Sequence, residues 1–195
     1  MNWKWRNFAA AAAILLSPAT VSAHLVSTGF GPFYDGLAHP FVSPEDLLPV
    51  VALGVWGGLL GAPHARWIVL TLPAVWLLGA AAGETLPAYR MLYGAELVFG
   101  ILVGVAAAAR LPVSRGVLLA AGGVLGLLHG LGATAGDTGS LVAASGTAAA
   151  VGACFAVIAG QVASFRADWP RIAARALSSW TAAIGLLQLG WMLRG

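Results

Sequence analysis

The stretch AHPFVSPEDLLPV, residues 38–50, marks the point where a polar, glycine-spotted lead gives way to a nearly unbroken apolar sequence. From there on, charged residues separate apolar segments at about 45–62, 67–83, 91–109, 116–135, 140–163 and 176–193. A membrane-spanning helix needs about 20 mostly apolar residues. These segments therefore predict an all-α protein, a polytopic transmembrane helix bundle of about six spans with no room for a soluble domain.

The composition agrees with a membrane protein. Hydrophobic residues make up 59% of the chain and charged residues only 9%, with a mean hydropathy of +0.87. The basic residues are scattered singly between apolar segments, which argues against a nucleic-acid partner and indicates that the lipid bilayer is the partner. Cys154 is the one cysteine of the sequence and is expected to serve packing.

The first 23 residues have the pattern of a secretory signal peptide. Lys4 and Arg6 precede a short apolar centre and the small-residue ending Val21-Ser22-Ala23. Cleavage there leaves His24 as the new amino terminus, and an uncleaved first membrane helix is the alternative. The predicted domains are a signal peptide at 1–23, an outer-face segment at 24–44 and a six-helix transmembrane domain at 45–195.

Arginine positions predict the orientation, because basic residues accumulate in cytoplasmic loops. With residue 24 outside, only Arg90 and Arg194 lie outside, whereas six arginines lie inside: Arg66, Arg110, Arg115, Arg166, Arg171 and Arg175. This bias predicts a multi-pass protein of the bacterial inner membrane with a periplasmic mature amino terminus. Residues 166–175, RADWPRIAAR, are expected to form a short cytoplasmic connector, and His64 a solvated loop residue.

Glycines four apart predict where helices approach closely. Gly122, Gly126 and Gly130 recur in this way in the fourth segment, and Gly54 and Gly58 in the first. In the third segment Gly100 and Gly104 share a helical face with Glu96. We therefore expect the Glu96 carboxylate to face a neighbouring helix rather than lipid.

The opening stretch has two interpretations. Ser43-Pro44-Glu45-Asp46 is a good helix start, because serine caps, proline suits the first turn and acids favour the positive end of the helix dipole. Alternatively, His39 folds back over this helix end and adds a nitrogen donor to the carboxylates, a mixture that suits a divalent cation. The sequence leaves both open.

Glu96 and His129 are two further candidate site residues, and both lie within predicted membrane segments. A carboxylate such as Glu96 is costly inside a membrane and usually serves a pathway, a relay or a partner, although a neutral hydrogen-bonded acid is the alternative. His129, in GLLHGLG, is either a ligand or a packing residue. At a rise of about 1.5 Å per residue, both lie in the outer half of the membrane, near the level of Glu45 and Asp46. We expect these side chains and His39 to face one polar cavity that opens outward.

The motifs around these residues resemble those of the HupE/UreJ family over essentially the whole mature chain. The family's first motif is His-Pro, a short spacer and Asp-His-Leu, and here it stands as His39-Pro40 followed by Glu45-Asp46-Leu47. Glu96 in GAELVFGILVG matches the family's intramembrane glutamate. The fourth-helix motif survives as Leu128-His129-Gly130, with Ala133 and Gly136 in place of a second histidine and a glutamate. These replacements shift the site toward oxygen ligands.

The resemblance implies a small membrane permease linked to hydrogenase and urease maturation, not an enzyme. Its substrate would be a divalent transition metal, nickel first, with copper, cobalt and zinc left open. No ATP-binding loop is present in the sequence, so movement would be passive, driven by membrane potential or coupled to protons at Glu96. The expected metal residues are His24, His39, Glu45, Asp46, Glu96 and His129, where His24 would pair its imidazole with the terminal amine.

Two other functions have to be compared with metal transport. The chain could be a non-transporting metal-binding or assembly accessory protein of a metalloenzyme, and metalloenzyme maturation proteins and a second copy of the chain are candidate partners. A haem-binding electron carrier is disfavoured, because bis-histidine ligation needs paired helix histidines and only His129 is clearly intramembrane.

Overall fold

The computed structural model describes residues 28–84, 89–133 and 140–194, and these residues form helices and short connections without a strand. The all-α prediction is therefore confirmed. The predicted signal peptide and His24 lie outside the described residues. The helices are α1 Pro32–Val42, α2 Pro44–Leu60, α3 Ala62–Ala65, α4 Ile68–Gly83, α5 Tyr89–Ala109, α6 Arg115–Ala133, α7 Leu141–Ser164 and α8 Asp168–Met192.

Within the described ranges, four helical segments are long and apolar enough to cross a membrane. They are Ala62–Gly83, which joins α3 and α4, and helices α6, α7 and α8. The apolar part of α5, Tyr93–Ala109, is shorter, and the 17 residues of α2 extend only about 26 Å, less than a typical hydrocarbon core of about 30 Å. The structure thus supports a membrane protein, and the count of six spans stays a prediction.

Helix α2 lies at the centre of the bundle. It contacts α5, α6, α7 and α8, and Leu53 and Trp56 belong to the main hydrophobic core. The Trp56 indole Nε1 donates a hydrogen bond of 2.9 Å to the Leu111 carbonyl beyond the end of α5. Because α2 is enclosed by protein along most of its length, its short span does not have to match the bilayer by itself.

One helix was not anticipated, and two local expectations were wrong. The outer-face segment contains helix α1, which its polar, glycine-spotted sequence did not predict. The expected connector at 166–175 is mostly helical, since α8 begins at Asp168; Pro170 fits there because the first-turn amides of a helix have no helical acceptor. His64 lies in α3 instead of a solvated loop, and its Nδ1 is buried without a hydrogen-bond partner among the described residues.

The predicted close approach of glycine-containing helices is confirmed for α6, which packs against α4. A Cβ added at Gly126 would lie 2.7 Å from the Leu72 carbonyl oxygen and 3.1 Å from the Trp76 nitrogen. Gly130 packs equally tightly on the Trp76 carbonyl. The two backbones are therefore in direct contact, and this contact places Trp76 of α4 beside His129 of α6.

A second close contact fixes α1 against α7. Gly36 faces the Ala143 carbonyl and Gly146 faces the Phe33 carbonyl, so neither position has room for a side chain. Pro40 has no amide hydrogen, which leaves the Gly36 carbonyl without its usual helical donor. The buried Thr147 hydroxyl donates to that carbonyl at 3.0 Å instead. As a result α1, and His39 on it, has a defined position in the bundle.

The α4–α6 contact gives a first prediction. Gly126→Ala should lower the free energy of unfolding by about 1–3 kcal/mol, because the added methyl group has to push two backbones apart. Gly123→Ala on the same helix is the matched control: no heavy atom lies within 4 Å of its added Cβ, and alanine is about 1 kcal/mol better than glycine in a helix interior. Denaturant titration of the detergent-solubilised protein measures both, and equal effects would contradict the contact.

Candidate functional site

Asp46 joins two histidines from different helices. Its Oδ2 lies 3.3 Å from Nε2 of His39 on α1, and its Oδ1 lies 2.9 Å from Nδ1 of His129 on α6. The His39 side chain is 46% exposed, whereas the Asp46 and His129 side chains are 16% and 4% exposed. The three residues therefore lead from the surface of the bundle to its interior.

Ser43, between α1 and α2, belongs to the outer end of this arrangement. The sequence favoured it as a helix cap, but it makes no side-chain capping hydrogen bond. Its Oγ lies 3.2 Å from His39 Nε2, since His39 ends up one turn earlier on α1 with its ring over the hydroxyl. The carboxylate that His39 meets is Asp46 and not the neighbouring Glu45.

The Asp46 contact determines how the His129 ring is used. An ionised carboxylate only accepts hydrogen bonds, so Nδ1 of His129 carries the hydrogen in this contact. In a neutral ring Nε2 then has a free lone pair. The Trp76 indole stacks on the imidazole, with ring centroids 5.4 Å apart and an interplanar angle of 19°. Asp46 and Trp76 thus hold the ring in one orientation.

A pocket that is partly open to solvent has His129 in its lining. Helices α2, α5, α6 and α8 enclose it. Its polar lining includes Glu45, Tyr93, Glu96, His129, Thr181 and Gln188. Oε1 of Glu96 and Nε2 of His129 are both buried and have no hydrogen-bond partner among the described residues. Leaving a buried polar atom unpaired costs about 1–3 kcal/mol, so two such atoms in one pocket call for a ligand.

Proline shapes the α2 wall of this pocket. Pro49 has no amide hydrogen, so the Glu45 carbonyl, one turn earlier, loses its usual helical donor. Both residues line the pocket. Gly100 of α5 accommodates the proline ring, because a Cβ there would lie only 3.1 Å from Pro49 Cγ. The exposed Glu45 side chain stands at the pocket's mouth.

The residues singled out in the sequence thus form two groups that share His129. Asp46 links His39 to Nδ1 of the His129 ring. Glu45 and Glu96 line the pocket together with His129, and His39 and Asp46 are not part of that lining. Across residues 28–84, 89–133 and 140–194, no three His, Cys, Asp or Glu side chains are arranged to hold a metal ion.

Sequence reasoning missed Trp76, Tyr93, Thr181 and Gln188. Tyr93 lies one turn before Glu96 on α5, and that spacing was a usable signal. Thr181 and Gln188 are seven residues apart, so they share a face of α8, but only tertiary packing shows which neighbour that face meets. The Trp76 stack depends on the register between α4 and α6.

These features define a class of protein: an all-helical membrane protein whose interior holds an acid and an imidazole with unpaired atoms. The chain belongs to the HupE / UreJ protein family, whose model matches residues 12–188. The resemblance inferred from the sequence motifs is thereby confirmed. Comparison with curated proteins gives no significant match, and neither does comparison with solved structures.

The orientation of His129 can be tested by its tautomer. In the folded protein we expect the ¹⁵N spectrum of the neutral imidazole to show hydrogen on Nδ1 and none on Nε2. Asp46→Asn should remove this preference, because an amide side chain can either donate or accept. His129→Gln assigns the signal. A neutral ring with its hydrogen on Nε2 in the wild type would contradict the Asp46 contact.

The pKa of His39, on α1, gives a pH-dependent prediction. The hydrogen bond to Asp46 raises this pKa above 6.5, against the opposing effect of burial, and the negative charges of Asp46 and Glu45 raise it further. Protonated His39 therefore stabilises the fold fully below about pH 6.5, and this contribution is lost as the pH rises through the raised pKa. NMR titration should place His39 above 6.5 in the wild type and lower in Asp46→Asn; no difference between the two would exclude the pair.

Proposed function

We propose that this protein is a permease that moves a divalent transition-metal ion, nickel first, from the periplasmic side of the inner membrane toward the cytoplasm. Membership of the HupE / UreJ family associates it with an accessory function in nickel and cobalt transport. The observation that carries the proposal is the pair of unpartnered buried atoms, Glu96 Oε1 and His129 Nε2, in one pocket. In this proposal the protein binds and releases an ion and catalyses no reaction.

The chemistry of the pair fits such an ion. A carboxylate oxygen and an imidazole nitrogen are donors that nickel, cobalt and zinc accept together. A cation between them would satisfy both atoms at once. The negative charge of Glu45 at the mouth would raise the local concentration of cations.

The two sides of the His129 ring have different tasks in this mechanism. Asp46 keeps the hydrogen on Nδ1, so Nε2 offers its lone pair to the ion without first losing a proton. His39 and Asp46 form the more exposed polar group on the other side of the ring. The ring itself, stacked on Trp76, changes little in orientation as the ion arrives.

Glu96 is the group in the pocket that couples the ion to protons in this proposal. Its carboxyl binds a cation only in the ionised form, so a protonated Glu96 has to release its proton when the ion enters. Release of the ion toward the cytoplasm allows a proton to return. Each entering ion would then be exchanged for a proton, and the net inward movement of positive charge would let the membrane potential drive uptake.

Glu96→Gln tests the proposal in sealed vesicles into whose membrane the purified protein has been reconstituted. The amide keeps the size of the side chain but removes the charge, so Ni²⁺ accumulation should fall to the level of protein-free vesicles. Glu96→Asp, which keeps the charge and shortens the reach, should retain partial uptake. Glu84→Gln is the matched control, because Glu84 is exposed at the end of α4, away from the pocket.

The time course separates transport from binding. A permease accumulates ions inside the vesicles over time, whereas an accessory protein that only binds metal saturates at a level set by the amount of protein. Wild-type accumulation by Glu96→Gln between pH 6 and 8 would exclude Glu96 as the coupling group. Saturation without accumulation by the wild type would reject transport.

A further inference from the structure

Helix α8 contributes one face to the pocket. Thr181, Ile184, Gly185 and Gln188 line it, and their spacing of three, four and seven residues places them on one side of the helix. Thr181 and Gln188 are the members of this set with polar side chains. Either could offer an oxygen to a ligand, so their existing hydrogen bonds decide between them.

The register of α8 against α5 brings Gln188 within about one helical turn of Glu96. The helices run antiparallel, and close contacts pair Gly104 with Ala182, Ile101 with Gly185, and Gly94 with Met192. Gln188 lies midway between Gly185 and Met192, and the midpoint of their partners on α5 falls between Leu97 and Val98. The Gln188 amide and the Glu96 carboxylate both belong to the lining of the pocket.

The hydrogen bonds distinguish the two polar residues of α8. The Thr181 hydroxyl donates to the Leu48 carbonyl at 3.3 Å and so ties α8 to α2. Gln188 is half-buried in the pocket lining, and its side chain makes no hydrogen bond to another residue in the described part of the chain. Its amide is therefore available in a pocket that already holds two unpaired atoms, Glu96 Oε1 and His129 Nε2.

We infer that Gln188 is a ligand of the transported ion and sets its selectivity, through coordination by the side-chain amide oxygen next to Glu96 and His129. This inference rests on the proposed function of the pocket. It explains how the pocket can hold an ion although no three His, Cys, Asp or Glu side chains among the described residues do so. The ligand class is a divalent first-row cation bound by one nitrogen and otherwise by oxygen.

Such a ligand set has a consequence for selectivity. Nitrogen donors favour nickel strongly over manganese, whereas carboxylate and carbonyl oxygens suit manganese well. Exchanging the Gln188 amide oxygen for a different donor should therefore change the preference between Ni²⁺ and Mn²⁺. Gln188→His adds a nitrogen and should raise this preference. Gln188→Glu adds a charged oxygen and should lower it.

The test uses the full chain and measures competition between Ni²⁺ and Mn²⁺, both by uptake into vesicles and by equilibrium binding in detergent. Gln188→Leu should raise the Ni²⁺ concentration for half-saturation on the order of tenfold. Gln161→Leu is the matched control, because Gln161 is exposed on α7 and should leave both measurements unchanged. The ratio of the two metals within each variant is independent of how much protein folds.

The expected result is weaker Ni²⁺ binding by Gln188→Leu together with opposite shifts of the Ni²⁺/Mn²⁺ ratio in Gln188→His and Gln188→Glu. Ratios equal to the wild type in both variants, or shifted in the same direction, would overturn the inference. Failure of the proposed transport function is a different outcome: the wild type would then not accumulate metal, while the binding ratios in detergent still report on Gln188.

Discussion

The hydrogen bonds of Asp46 tie together the parts of the molecule on which the candidate site depends. One carboxylate oxygen faces His39 of α1 and the other faces His129 of α6, while Asp46 itself lies in the first turn of α2. A buried carboxylate is costly unless it is paired, and two imidazoles supply that pairing. In return the carboxylate fixes which nitrogen of His129 carries hydrogen. Asp46, which does not line the pocket, thus determines that the nitrogen of His129 without hydrogen is Nε2.

This arrangement requires α2 to be held in the middle of the bundle. A helix of 17 residues is short for a bilayer, but the helices around it cover nearly all of its sides. Glycine makes that enclosure possible. Gly58 packs against the Ala159 carbonyl of α7, with an added Cβ only 2.7 Å away, and Gly100 receives Pro49. Close backbones bring the acids at the start of α2 within reach of side chains from α5, α6 and α8. The pocket is therefore a product of the same contacts that hold the fold together.

The sequence predicted the helices better than it predicted the contacts between them. Apolar length and glycine spacing are local signals, and they anticipated most helix bounds and the α4–α6 approach. They gave no indication of α1, whose polar sequence docks on α7 through Gly36 and Gly146. They also placed the start of α8 eight residues too late, because charged residues interrupt the apolar pattern before residue 176. At the site, helical rise was enough to place Glu96, His129 and Asp46 at related depths. It was not enough to distinguish Asp46 from Glu45 as the partner of His39, because that choice depends on the angle between α1 and α2. Gln188 needed the register between α5 and α8, which no single helix contains.

The differences between this chain and the family motif have identifiable structural consequences. Where the motif has a second histidine in the first helix, Asp46 stands here, and its geometry is that of an acceptor that orients His129. The motif's second histidine in the fourth helix is replaced by Ala133, so His129 is left as the imidazole that lines the pocket. In the proposed mechanism one well-oriented nitrogen replaces several. A ligand set with one nitrogen needs oxygens to complete it, and the neighbouring walls offer them through Glu96 of α5 and Gln188 of α8. In this proposal, with fewer histidines on α2 and α6, the selection of the ion would depend on the facing helices α5 and α8.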